Sequence, residues 1–380
     1  MIQMMRVPTA ALCVLASLLI SCSRSDSGAD HHSGTAQRDD DKVLNFYTWS
    51  DYIAPDTIGS FEKLTGIKVN VSYFNTNEML ESQMLTGHSG FDVVVVAGPY
   101  LQRQIRSGAY RPLDKTQLPN LGNLDPALMA QAALNDPGNV YGVIYTWGTY
   151  GIGYNEQKVA QALPNTPVKS WGLIFDPTFA AKLAPCGINL VDTPAGVTRA
   201  VLRYLGRNPN EPSAQDLKDV ETVLTKIRPY IRNIESENYI QGLANGDVCI
   251  ALGVNGDIVA ARKRAEEAKN GVRVRFLLPD EGSLLWFDML AIPKDAPHVA
   301  NAHVFINYLM NPQVIATISD FVGYANGSAA ATPLLDKATA GDPATFPPPD
   351  ERQTLIVHLG DSPEQSRAIT RIWQRFKTGQ

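Results

Sequence analysis

The stretch that most constrains this chain is Phe91-Asp92-Val93-Val94-Val95-Val96, where four consecutive β-branched side chains follow a single acid. A run this short, apolar on every residue, suits a strand covered on both faces, and a parallel sheet with helices on each side supplies that environment. The sequence before it alternates accordingly. Residues 43–49 (VLNFYTW) form a strand candidate, and 56–64 a helix with Pro55 at its start, Ile58, Phe61 and Leu64 as its apolar stripe, and Gly66 closing it. Residues 67–74 read as a second strand, and Asn77 can cap a helix over 78–86 that Gly87 ends. A helix over 100–107 follows the valine strand. This βαβα order predicts an α/β lobe with a mainly parallel sheet.

Around residues 141–154 (YGVIYTWGTYGIGY) glycines and aromatics replace helical spacing, which reads as strands crossing into a second lobe. Beyond them come helical turns over 171–183, a strand over 187–191, helices over 196–205 and 215–227, and a strand over 248–254. A helix over 258–268 follows, with Asp257 at its cap position. Strands over 272–278 and 284–292 are expected to return to the first lobe. A helix over 299–310 stops at Asn311-Pro312, 345–349 is Pro-rich coil, and 364–377 is a terminal helix. Two α/β lobes joined by more than one crossing make a hinged cleft.

A length of 380 residues allows two such lobes. The balance of 33 Lys+Arg against 38 Asp+Glu gives a net charge of −5 without basic runs, which argues against a nucleic-acid partner. Phosphate-loop, dinucleotide, metalloprotease and nucleophile-elbow motifs are all missing, and Gly87-His88-Ser89-Gly90 matches the last only loosely. No enzyme is expected; a carboxylate-dependent hydrolase is the alternative, since paired acids in apolar surroundings can do acid/base work.

The N-terminal segment reads as an address. Residues 1–20 carry one cation, Arg6, and an apolar run over 10–20 that falls short of the roughly 20 residues of a membrane span, as in a signal peptide. Leu19-Ile20-Ser21-Cys22 resembles the bacterial lipobox, which implies removal of 1–21 and acylation of Cys22; ordinary signal cleavage is the alternative. Residues 22–41 hold no apolar side chain larger than alanine after the cysteine and form a flexible tether, with His31 and His32 solvated. The folded part is then expected in the periplasm, touching a bacterial membrane through its lipid alone. Cys13 leaves with the signal, so Cys186 and Cys249 remain. An even pair in an exported chain is most economically a disulfide, with two buried thiols as the alternative. Neither has metal-ligand spacing, and no metal or cofactor is expected.

Acids beside aromatics at strand ends are the candidate functional residues. Trp49-Ser50-Asp51-Tyr52 follows the first strand, and open α/β sheets place ligands at the carboxyl ends of their strands. Asp51 also reads as a turn residue before Pro55, and Asp257, in Asn255-Gly256-Asp257, as a helix cap. Asp288 is more pointed, because Leu285-Trp286-Phe287-Asp288-Met289-Leu290 is otherwise apolar and no Lys or Arg flanks it. An unpaired buried carboxylate costs several kcal/mol, so it needs a cation from the protein or from a ligand. Trp286, two residues earlier, shares its strand face. An acid and an indole on one face suit an ammonium group, through charge-assisted hydrogen bonds and cation–π attraction. The plainer alternative puts Trp286 in the core and Asp288 on backbone amides.

The segment TWSDYIAPDTIGSFEKLTGIKV resembles the opening of the periplasmic polyamine-binding proteins of ABC importers, most closely the putrescine-binding type. The resemblance continues through GFDVVVV, GIGYN, LANGDVCIALGVNGD, WFDMLAIP, FINYL, Tyr324-Ala325-Asn326 and Ala331-Thr332-Pro333, and covers about 42–377. It implies the two-lobed type II periplasmic binding protein fold, with lobe 1 at 42–146 and 276–318 and lobe 2 at 147–275 and 319–380. It implies a Cys186–Cys249 disulfide, a small polyamine ligand such as putrescine, an ABC permease with its ATPase subunit as partners, and a monomer. Residue by residue, Trp49 and Tyr52 match cleft aromatics with Ser50 and Asp51 as polar contacts between them, and Ser236 matches a serine near the ligand. Asp257 and Asp288 match acids that hold ammonium groups, Trp286 stands where a phenylalanine is usual, and Tyr324 matches an aromatic wall. Three positions depart: Ala97 replaces a serine, Ala195 a glutamate, and Val254 a tryptophan. Losing an acid and an indole reshapes the site, which leaves spermidine, agmatine and cadaverine as alternative ligands; Glu235 or Glu237 could supply a displaced charge.

Overall fold

A computed structural model describes residues 42–167 and 169–379; the expected signal peptide, the tether and Cys22 lie outside the described residues. Eleven strands are found among these: β1 (Val43–Trp49), β2 (Lys68–Phe74), β3 (Val93–Ala97), β4 (Gly142–Asn155), β5 (Ile188–Leu190) and β6 (Asn233–Ile234). The remaining five are β7 (Ile250–Val254), β8 (Val274–Leu277), β9 (Leu284–Ala291), β10 (Ala325–Asn326) and β11 (Ile356–Val357). The main path runs β2-β1-β3-β9-β4-β7-β5-β6. β2, β1 and β3 are parallel to one another, as are β7, β5 and β6. β9 and β4 run antiparallel between the two parallel sets.

The valine run sits where its composition demands. Val93 and Val95 face a core shared with Phe46, Phe61 and Phe305, while Val94 and Val96 face a second core with Leu80, Leu101 and Met289. All four are fully buried, so every position of the strand gains transfer free energy and polar alternation would cost it. β7 repeats the logic in the other parallel set. Ile250 and Leu252 join a core with Val197, Leu224 and Trp373, and Ala251 faces the opposite side beside Tyr239 and Ile258.

β4 is the strand that belongs to both sets. Residues Gly142 to Thr149 register on β9, and Tyr150 to Tyr154 register on β7, so the strand changes partner between Thr149 and Tyr150. Nearly every residue of β4 is buried, which erases any period and explains why the sequence reads only as a crossing. β8 pairs with Ile152 to Asn155 of β4, across that strand from β7, and so stays with the second half of β4; β9 alone returns to the first parallel set, against the expectation that both strands do. The valines' outer neighbours come from late in the chain: the helix Val299–Leu309 lays Phe305 against Phe46 at 5.1 Å between ring centroids. The terminal helix Pro363–Thr378 opens on a Ser362–Gln365 capping box and seals the second core with Ile372, Trp373 and Phe376.

Two local expectations are corrected. Thr76, not Asn77, caps the helix Asn77–Thr86, its side chain accepting the Met79 N–H. The helical turns over 171–183 divide into Gly172–Phe175 and Pro177–Leu183, because Pro177 cannot continue the first helix and Asp176 caps the second. Cys186 and Cys249 form a disulfide across 63 residues of sequence, joining the entries of β5 and β7. Free thiols are thereby set aside, and closing a loop of that size contributes roughly 4 kcal/mol in the chain-entropy model. Among the described residues no helix is long and apolar enough to cross a membrane.

Candidate functional site

Asp288 lies in the middle of β9, registered between Ala97 of β3 and Thr146 of β4, and is 7% exposed. Its Oδ2 accepts one side-chain hydrogen bond, from the Tyr52 hydroxyl at 2.8 Å. With that proton committed, the Thr146 hydroxyl donates in turn to the Tyr52 oxygen, 2.6 Å away. The Tyr52 main-chain carbonyl accepts from the Tyr145 hydroxyl at 2.7 Å, and the two rings meet edge to face, so the phenol is locked toward the acid. Burial pushes the Asp288 carboxyl up to about 6, with the Tyr52 hydrogen bond opposing the shift.

Asp257 sits on the other parallel set, in the first turn of the helix Asn255–Ala268 that follows β7. It does not cap that helix. Its Oδ2 accepts from the Tyr239 hydroxyl at 2.6 Å and its Oδ1 from the Tyr324 hydroxyl at 3.1 Å. Burial raises its carboxyl above the ordinary value, and the two phenols together with the Arg264 charge pull it back. Gly256 makes this packing feasible, because a β-carbon there would collide with the Tyr324 ring. Asn255 fixes the turn from the other side, accepting the Thr149 N–H and donating to the Ala344 carbonyl.

Aromatic rings connect the two acids. Tyr324 lies 5.8 Å from Tyr52 and 5.1 Å from Trp286, edge to face in both cases. A continuous chain thus runs from Asp288 through Tyr52 and Tyr324 to Asp257, with the Trp286 indole beside it. Gly148, registered opposite Trp286, leaves room for that indole, since a β-carbon there would strike it. Among the described residues neither acid enters an ion pair. A buried and a half-buried carboxylate, each bonded only to neutral hydroxyls, form a negative site without a paired cation. Aromatic walls around it offer ring faces to the hydrocarbon part or the positive charge of an organic cation.

Five of the nine expected site residues therefore converge: Tyr52, Asp257, Trp286, Asp288 and Tyr324. The other four stand apart from this chain of contacts. Trp49 ends β1 and packs its half-buried ring on Phe74, 4.4 Å away, with its indole N–H buried and unbonded. Ser50 and Asp51 are exposed, and Asp51 takes the left-handed backbone (φ 54°) of a tight turn, as its alternative reading holds. Ser236 is exposed and accepts the Asp192 N–H at 3.0 Å, tying two loops together. Glu235 accepts from Asn238, and no contact carries it or Glu237 to either acid.

Residues missed by the sequence reading are Tyr239, whose hydroxyl donates to Asp257, and Thr146 and Tyr145, whose hydroxyls hold Tyr52. Tyr145 and Thr146 lie inside the all-buried β4, where no period marks them, and Tyr239 opens a seven-residue helix with no local sign of its partner. Of the three departures, Ala97 stands directly beside Asp288, and Val254 is registered opposite Tyr150 at the partner change of β4. Ala195 lies in the first turn of the helix Pro194–Tyr204, its carbonyl accepting from Arg199.

A sheet built of two parallel sets, with an acid from the antiparallel strand between them and another from the helix after β7 meeting at an aromatic site, defines a binding protein of the type II periplasmic fold. Over residues 57–347 the chain matches the bacterial extracellular solute-binding proteins, and it belongs to that family. It is 46% identical to the putrescine-binding periplasmic protein SpuD of Pseudomonas aeruginosa across 91% of this chain and 95% of that one. It is also 46% identical to the putrescine-binding periplasmic protein PotF of Escherichia coli, across 89% and 92%. Among solved structures, the spermidine/putrescine ABC transporter substrate-binding protein PotD of Streptococcus pneumoniae superposes with a TM-score of 0.76 at 26% identity, covering 89% of this chain and 99% of that one.

Proposed function

We propose that this protein captures putrescine or a related aliphatic amine and delivers it to an ABC permease served by an ATPase subunit. The observation that carries the reading is the pair of carboxylates, Asp257 half-buried and Asp288 buried, that enter no ion pair among the described residues and are linked by the rings of Tyr52 and Tyr324. An ammonium group gives each acid the charge it lacks, while Trp286 and Tyr324 cover the methylene chain. Trp49, Ser50, Asp51 and Ser236 border the ligand from the strand-end turn and the facing loop. No covalent step belongs to this function. The lobes at 42–146 with 276–318 and at 147–275 with 319–380 close on the amine about the β4 partner change, because only the closed form lets both acids reach it. The protein works as a monomer in the periplasm, held to the membrane by acylated Cys22, and the 46% identity to two putrescine-binding periplasmic proteins supports the compartment and the ligand class.

A second cation, spermidine, agmatine or cadaverine, is favoured by the small side chains of Ala97, Ala195 and Val254, which reshape the space around the acids. A thermal-shift panel of these amines with putrescine, basic amino acids and a sugar control separates the readings. Ligand at about 100 Kd stabilises by roughly 2.7 kcal/mol, a shift of several degrees for a chain of this size. One amine standing out identifies the ligand; no shift with any amine refutes the proposal.

A further inference from the structure

β11 leads to a residue that the amine reading leaves unused. Ile356 and Val357 pair in parallel with Leu284 and Leu285 of β9, and the His358 N–H continues the ladder by donating to the Leu285 carbonyl at 2.8 Å. One step further along that register, His358 flanks Trp286. Paired residues in neighbouring strands present their side chains to the same face, and Trp286 shares its face with Asp288. β3 occupies the same edge of β9 farther on, where Ala97 stands beside Asp288. His358 and Ala97 are thus successive neighbours along one edge of the strand that carries the acid, and alanine leaves the imidazole room. The His358 ring meets Tyr150 edge to face at 6.3 Å, at the point where β4 changes partner.

Resting on the amine-binding reading above, we propose that His358 is a further ligand-contacting residue, whose neutral imidazole accepts a hydrogen bond from an ammonium N–H of the bound amine and so sets which amine fits. The main chain around the residue is held from both sides: Asn135 donates to the His358 carbonyl, and Arg199 to the Leu359 carbonyl. No side-chain hydrogen bond occupies either ring nitrogen among the described residues, so one is available as an acceptor. Burial and the Arg199 guanidinium hold the imidazole well below its ordinary pKa, and Asp361 neutralises that guanidinium at 2.6 Å. A charged imidazole would repel an ammonium group; a neutral one binds it.

The test is calorimetric titration of the best amine from the panel into the wild type, His358→Leu and His358→Gln, with the apo melting temperature of each. Losing a hydrogen bond to a charged group predicts roughly 10-fold weaker binding or more for the leucine variant, most of it recovered by glutamine, which keeps an acceptor. Unchanged affinity in the leucine variant, or equal losses in both variants, overturns the assignment while leaving the amine reading in place. A wild type that binds no amine overturns both. Should the leucine variant fail to fold, the imidazole ¹⁵N resonances of the wild type decide: they move on amine saturation if His358 touches the ligand, and stay fixed if it does not.

Discussion

Asp288 sits mid-strand in β9 with one phenol on it, Tyr52 at 2.8 Å, whereas Asp257 sits in the first turn of a helix with two, Tyr239 at 2.6 Å and Tyr324 at 3.1 Å. The helix adds a second difference, since the partial positive charge at its N-terminus favours an anion and a strand offers no comparable field. Both carboxyls are raised by burial, but Asp257 is pulled back by more opposing contacts. The contrast shows how a binding protein can distribute its demand for a cation. Asp257 has two phenols of the protein on it and Asp288 one, so on the proposed reading Asp288 gains more from a ligand's cation.

That asymmetry can be broken by substitution. Asp288→Asn is expected to weaken amine binding by roughly 2–5 kcal/mol, read by calorimetry, because the ligand's charge is then buried without a partner. The same change should stabilise the empty protein. A carboxyl raised from 3.8 to about 6 binds more protons folded than unfolded, so the empty protein loses stability as pH rises through that window, by on the order of 3 kcal/mol at neutral pH. Thermal melts of the wild type should therefore fall between pH 4 and 6, and those of the asparagine variant should stay flatter. Asp257→Asn is expected to cost less affinity, on the order of 10- to 100-fold, and to move the apo melting temperature little. Equal losses at the two acids would remove the distinction.

The smallest effects sharpen the comparison. Tyr52→Phe takes away the single phenol on Asp288 and should raise that carboxyl further, shifting the acid limb of amine binding to higher pH. Tyr239→Phe leaves Asp257 with Tyr324 and should cost only about 1 kcal/mol of binding, with a smaller displacement of the limb because one phenol still opposes the rise. Binding measured from pH 5 to 8 for both variants checks this; a larger shift of the limb in the Tyr239 variant than in the Tyr52 variant would reverse the roles.

Much of the fold was legible because its signals are local. The valine run declares a doubly covered strand, and its cores proved to lie on both faces. Asp288 and Trp286 were legible for a related reason: a carboxylate in an apolar strand is costly enough to need explanation, and a two-residue spacing fixes the shared face. The hydroxyls of Thr146 and Tyr239 were not, because what pairs the one with Tyr52 and the other with Asp257 is tertiary contact between distant strands and helices. The partner change of β4 was hidden by the uniform burial of its residues, and the place of β8 by strand pairing that no local pattern encodes. Asp51 shows the two readings side by side. Its neighbours carry a strong family resemblance, and its exposed, left-handed backbone is that of a tight turn.

The proposed function turns on Asp288 as an ionisable acid that an ammonium group would pair. Calorimetric titration of the preferred amine at pH 6, in buffers of different ionisation enthalpy, measures the protons exchanged on binding. With the carboxyl at about 6 in the empty protein, an arriving ammonium group must drive it to the ionised form and release about half a proton. The account predicts that release in the wild type and its disappearance in Asp288→Asn. Amine binding with no proton released at pH 6, or with the same release in both proteins, would contradict it.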